Sequence, residues 1–396
     1  MKKTALVTLI LIFFVYSSSH GQTDPAHEEY IKATTAPTLP QKIKLLKEYL
    51  NKYNGKGSQY ENYANAHLCF YTSQSNKLSE AIEYGEKAIT MSGLDDFTKS
   101  QLYITLSSIY AKQATNLEKA KNYALQAVEI ARVNKDKKSS TTTPAQWIQL
   151  MGAGYYIHAQ TQEKAKQLKG AASSYIKSYD FLKNPQIGKD LKKVGKSLYN
   201  FKFYSNAEEA FRVAYNILND YESCSYYAKS LFKNKKRDEA LTYFKKAYQK
   251  KKSGEIAYNI GIILAGNSKK NPNTSTEAIK YLLEASFLSP SNSKKARSLA
   301  ESIFFNSKEA FGYNEKVKEL IELNKQLVET TELFNESFGD KSEEELSEKQ
   351  KKEIESWQAD IEALQEKIKK LEAEQKVIVN KFNKLLEDTK KRLGSK

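Results

Sequence analysis

From residue 25 onward, apolar residues recur at the three- and four-residue steps of a helix. Ala207, Phe211 and Ala214 stand at i, i+4 and i+7, on one helical face. The arrangement returns as Ala240, Phe244, Ala247 and as Ala278, Leu282, Ala285. Upstream of each trio lies another apolar helix with a small contact residue: Val194, Gly195 and Leu198; Tyr227, Ala228 and Leu231; Ile260, Gly261 and Leu264. Small residues let two helices approach closely, and the large residue of the facing trio fills the space between them. Each unit therefore reads as a helix, a turn and a second helix packed on the first.

These residues resemble the tetratricopeptide repeat (TPR) family, whose 34-residue unit places such large and small positions on two antiparallel helices. The resemblance covers roughly residues 55–290, with Asn259-Ile260-Gly261 and Pro290 matching closely. Leu68, Cys69, Ala81 and Ala88 make one unit; Leu106, Tyr110, Ala120 and Ala127 make the next. A middle unit runs from Trp147 through Gly152, Tyr155, Ala171 and Tyr175 to Ser178. Equivalent last positions are 33 to 51 residues apart, so some helices or loops exceed the family length. The stretch 136–144 reads as an exposed loop. The resemblance implies an all-α fold, a TPR-like α-solenoid of about six helix pairs over 55–312. Residues 22–54 are expected to cap it, with Ile43, Leu46 and Leu50 facing inward, and a helix at 293–305 carrying Ala296, Leu299, Ile303 and Phe304 to close the far end.

Residues 313–396 follow a different period. Val317, Leu320, Leu327, Phe334 and Phe338 fit the apolar positions of a heptad, with Asn324 and Thr331 as polar members. Gly339 and Asp340 break the helix, and Ser342 with Glu345 reads as a capping box for the next. Its seam is Ile354, Trp357, Ile361, Leu364, Ile368, Leu371, Gln375, Ile378, Phe382 and Leu385. The module is a long helical hairpin or coiled coil, and a fold-back at Gly339 is preferred. That fold-back sets Phe334 near Leu346 and Leu320 near Ile361, and covers the long helix only to about residue 366. Leu371, Ile378, Val379, Phe382, Leu385 and Leu386 are then left as an apolar stripe for a second copy, the solenoid itself or another protein, with self-association slightly favoured.

The beginning of the chain reads as a signal peptide over 1–21: Lys2 and Lys3, an apolar run from Ala5 to Tyr16, then small residues up to Gly21. That run is short of the ~20 residues of a membrane-spanning helix. No cysteine stands near the expected cut to take a lipid anchor. The mature chain is expected to lack a transmembrane segment and to be periplasmic or extracellular, exported by a Gram-negative bacterium. Cys69 and Cys224 read as small buried core residues.

Composition bears this out: 16 Gly, 7 Pro and 40% hydrophobic residues argue against a turn-rich β fold and for a real core. The formal charge is +16, and it is local. Residues 161–254 hold 21 basic against 9 acidic side chains, whereas 313–396 hold 17 against 20. Mapped onto the family pattern, the inner wall of the first helices carries Tyr156, Lys189, Lys192, Lys196, Tyr199, Asn200, Lys229, Phe232 and Lys233. Lysines interleaved with aromatics suit pairing with carboxylates and stacking on flat groups. The same lysines also suit a plain solvated face.

There is no HExxH, phosphate loop, G-x-S-x-G or CxxC, and the histidines lack partners at ligand spacing. The reading is no enzyme, no metal site and no cofactor. It is an exported interaction scaffold that binds a protein segment on its concave face, its C-terminal helices docking or oligomerising. The rival reading is an envelope-structure factor whose basic repeats hold an anionic polymer or lipid surface. Export argues against nucleic acid.

Overall fold

The computed structural model describes residues 24–137, 139, 141–267, 273–339 and 346–394. Among them every regular element is helical, and the helices group into two compact units, one ending at Asn234 and one beginning at Lys235. The signal-peptide reading and the Ser342–Glu345 capping box lie outside the described residues.

The first unit holds α1 (Pro25–Thr35), α2 (Leu39–Tyr53), α3 (Glu61–Gln74), α4 (Leu78–Thr90), α5 (Asp96–Gln113), α6 (Leu117–Asn134), α7 (Pro144–Lys164), α8 (Leu168–Leu182), α9 (Pro185–Asn200), α10 (Tyr204–Leu218) and α11 (Tyr221–Lys233). Sequential helices pack pairwise, and each pair packs on the next, which is the TPR-like solenoid pattern. Ala207, Phe211 and Ala214 are fully buried, and a Cβ built on Gly195 would lie 3.1 Å from the Phe211 ring. That contact is the small-against-large packing of the repeat: α9 rides on the ring because Gly195 has no side chain. Ser178 reinforces the next such contact by donating to the Gly152 carbonyl at 2.8 Å. In α2, Leu46 is fully buried and Ile43 and Leu50 are buried beside it, facing inward as expected. The 136–144 stretch is open as expected: Asp136, Lys137, Ser139, Thr141, Thr143 and Pro144 are exposed. Thr142 is buried, and Thr143 and Gln146 form a reciprocal capping box that, with Pro144 in the first turn, starts α7.

The second unit holds α12 (Arg237–Lys250), α13 (Gly254–Asn267), α14 (Asn273–Leu288), α15 (Ser293–Phe305), α16 (Tyr313–Phe338) and α17 (Glu348–Gly394). Helices α13 and α14 repeat the packing above: Ala278, Leu282 and Ala285 are fully buried, and Gly261 admits Leu282. Helices α16 and α17 form a hairpin whose seam is the expected one, but the register differs. Lys316 pairs with Glu374, so each α16 residue meets α17 about nine residues later than a fold-back at Gly339 would give. Helix α17 is capped at Ser347, whose hydroxyl accepts from the Gln350 N–H while Gln350 accepts from the Ser347 N–H. In this register the coverage of α17 by α16 extends past residue 366.

The stripe beyond it is covered by the solenoid. Phe382 is buried with its ring 5.3 Å from Phe304 and 5.8 Å from Phe305 of α15. Ile378 is buried too, while Leu371, Val379, Leu385 and Leu386 are half-buried. Further along, Arg392 reaches Glu284 of α14. Of the occupants expected for this stripe, the solenoid covers part of it, through α14 and α15 of the same unit. Among the described residues no helix is long and apolar enough to cross a membrane.

Candidate partner-binding surfaces

The lysine-rich wall lies on α9 and α11, and its cations are largely engaged within the chain. Lys192 Nζ lies 2.7 Å from Asp220 and 3.2 Å from Glu222, and Lys196 pairs with Glu222 as well. Burial alone would lower the Lys192 ammonium, but its two carboxylates outweigh that and raise it. The Glu222 carboxyl is held below its ordinary value, chiefly by Lys196. Asp220 also caps α11 by accepting from the Ser223 N–H at 2.7 Å. Around the ring of Tyr226 gather Lys229 at 5.0 Å and Lys196 at 5.8 Å, with Tyr199 edge-on at 5.6 Å. Lys233 is exposed, 6.0 Å from the Tyr204 ring; Lys189 and Asn200 are exposed, and Phe232 is half-buried. Tyr156, expected on this wall, is buried: its ring meets Tyr175 edge-on and its hydroxyl donates to Asp190 at 2.9 Å. The structure thus joins Lys192, Lys196, Tyr199 and Lys229 into one lattice and leaves Tyr156 in the core.

A second surface was not marked by charge. The first helices of three successive pairs, α1, α3 and α5, border a groove of about 1100 Å³ that also reaches Thr141 and Thr142. Its wall is a column of stacked rings. Tyr60 lies 4.9 Å from Tyr30 at an interplanar angle of 13°, and Tyr30 lies 5.9 Å from His67 at 6°. Tyr30 and His67 are hydrogen-bonded at 3.1 Å. Burial, with a smaller contribution from Lys42, depresses the His67 ring to about 4, so it is neutral at physiological pH. Tyr60, which precedes the first turn of α3, and Tyr63, His67 and Phe70 within it stand at steps of three and four, a signal present in the sequence.

The groove's other side is the α4–α5 connection, which α3 braces. Asn62 donates to the Ser92 carbonyl at 2.7 Å, beside Gly93 at φ +90°. A side chain there would be strained in the left-handed region and would meet Asn62 at 3.2 Å. Tyr63 donates to Asp95 at 3.0 Å, and the same carboxylate caps α5 through the Thr98 N–H at 2.9 Å.

Elsewhere, Glu86 accepts from the hydroxyls of Tyr110 and Tyr123 and pairs with Lys119 at 2.8 Å. Burial would raise that carboxyl, but the three donors together hold it below its ordinary value. Cys69 and Cys224 are buried, as expected, and burial pushes the Cys69 thiol up. Among the described residues no group of three or more His, Cys, Asp or Glu side chains is placed to hold a metal ion.

No family model matches the chain. No curated protein matches it either. Solved structures similar to it include a tetratricopeptide repeat protein from Parabacteroides merdae, at 14% identity and TM-score 0.35, covering 70% of this chain and 98% of that one. The TPR2AB domain of yeast Sti1 in its pHSP90 complex aligns at 15% identity and TM-score 0.35, over 70% and 98% of the two chains. The apo form of RapI aligns at 15% identity and TM-score 0.34, over 81% and 99%.

Proposed function

We propose that the chain is a non-enzymatic interaction scaffold, exported from the cytoplasm, that holds a segment of a partner protein in the groove bordered by α1, α3 and α5. The groove carries this reading. At about 1100 Å³ it stands just above the ~300–1,000 Å³ of small-molecule sites, and the helical part of its wall, on α1, α3 and α5, is formed before anything binds. The engaged lysines of α9 and α11 support it indirectly, because cations already paired with Asp220 and Glu222 are less available to an anionic polymer. Export is proposed on Lys2, Lys3 and the short apolar run that follows them. The C-terminal helices serve in this reading to close the solenoid, since Phe382 and Arg392 are docked on it.

The test is capture of partner protein from envelope extracts by the mature protein and by a Thr35→Trp, Ser92→Trp variant. Both positions line the groove and are exposed, so the fold tolerates the change while the groove is filled. Capture is expected to fall about tenfold, the loss of roughly 1.4 kcal/mol. Undiminished capture, or capture lost only on raising the salt concentration, favours the anionic-surface reading instead.

A further inference from the structure

We propose that the groove takes a cationic segment: an extended peptide in which an Arg or Lys stands next to an aromatic or aliphatic side chain. This rests on the scaffold reading above and names the chemistry of its ligand.

The groove's charge is opposite to that of the protein. Lys and Arg number 63 among 396 residues, so a wall of 24 residues drawn from this composition would carry about four; among the described residues this wall carries none. It carries two carboxylates, Glu61 and Asp95. Glu61 is already balanced, with Lys87 at 3.7 Å and the Gly55 N–H at 2.9 Å. Asp95 is exposed, and among the described residues no cation is paired with it. Three donors aim it: the Thr98 N–H and hydroxyl and the Tyr63 hydroxyl. A carboxylate so fixed accepts a further guanidinium or ammonium without losing side-chain freedom at that moment.

Beside it stand Tyr63 and Phe97, half-buried rings whose faces suit both a cation and an apolar neighbour. The neutral His67 ring adds no repulsion. The Thr98 N–H at the α5 N-terminus is taken by Asp95 and so is closed to an anionic segment.

The test is selection of displayed random 12-residue peptides on the full chain, followed by affinity measurement of the enriched sequences. Competition by the Thr35→Trp, Ser92→Trp variant identifies those bound in the groove. Groove-bound peptides are expected to pair Arg or Lys with an aromatic. Asp95→Asn, which keeps the α5 cap, should weaken them about five- to tenfold, as loss of one charge-assisted contact does. Changing the peptide's Arg to Glu should weaken them further. Groove-bound peptides that are acidic, or indifferent to both changes, overturn the charge inference and leave the scaffold reading standing. Enrichment of no groove-bound peptide overturns both.

Discussion

Arg392 Nη2 lies 2.8 Å from Oε1 of Glu284, a carboxylate whose side chain is only 5% exposed. The Tyr248 hydroxyl donates to the other carboxylate oxygen at 2.5 Å. The last turns of α17 thereby hold a buried charge of the solenoid, and α17 is part of the second unit's core rather than an appendage. Removing one member of a buried pair strands the other at a cost of ~3–5 kcal/mol. With Arg392 itself 45% exposed, Arg392→Met is expected near the low end of that range in urea unfolding. The Arg392→Met, Glu284→Gln double variant should recover part of the loss. A loss below 0.5 kcal/mol on the order of surface changes would show that the contact does not hold the helix.

The docked stripe makes a matching prediction for truncation. A chain ending at Lys370 loses Ile378 and Phe382 and uncovers Phe304, which is fully buried. Burial of each such side chain is worth ~1.5–3 kcal/mol, so the truncated protein should melt well below the full chain. Light scattering should give both the same number of copies per particle, since the stripe is covered from within. A full-length dimer that the truncation converts to a monomer would restore self-association as its purpose.

Two histidines set a pH dependence. Burial holds the His67 and His158 rings at about 4, with Lys42 and Lys121 adding to it, against an ordinary value of 6.5. Between those values the unfolded chain binds protons that the folded chain refuses. Stability is therefore full above pH 6.5 and declines as the pH falls toward 4, by up to about 3 kcal/mol for each ring. Urea midpoints at pH 7.5, 6 and 4.5 should show the decline, and His67→Gln should lessen it. An NMR titration in which His67 protonates near pH 6.5 would remove the basis for this.

The lysine lattice predicts a small effect. Lys192→Ser with Lys196→Ser leaves Asp220 and Glu222 partly solvated, so the unfolding midpoint should shift little, as for surface ion pairs worth ~0–1 kcal/mol. Partner capture should be unchanged if the groove at α1, α3 and α5 is the binding surface. A several-fold loss of capture would move the binding surface to α9 and α11.

Much of this architecture is legible in the sequence. The alanine and phenylalanine trios locate α10, α12 and α14, because packing tolerates only a narrow range of volumes at those positions. The hairpin seam is legible for the same reason, but its register is not. Two capping-box patterns lie five residues apart, at Ser342 and Ser347, and nothing in the pattern chooses between them. Charge counting misdirects the search for a site. Lys192 and Lys196 are neutralised by Asp220 and Glu222, which stand on the next repeat and become neighbours only when the helices stack. The groove is the converse case: Tyr60, Tyr63, His67 and Phe70 are spaced as a face, yet aromatic residues at helical spacing also build ordinary cores. Only the placement of α1, α3 and α5 separates the two.

The most direct measurement is photo-crosslinking in intact cells with p-benzoylphenylalanine at Thr35, which lines the groove, and at Lys44, an exposed residue of α2 outside it. The scaffold account predicts an adduct of defined mass between this chain and another protein at Thr35, absent at Lys44 and abolished by Ser92→Trp. No protein adduct at Thr35, or equal adducts at both positions, would contradict it.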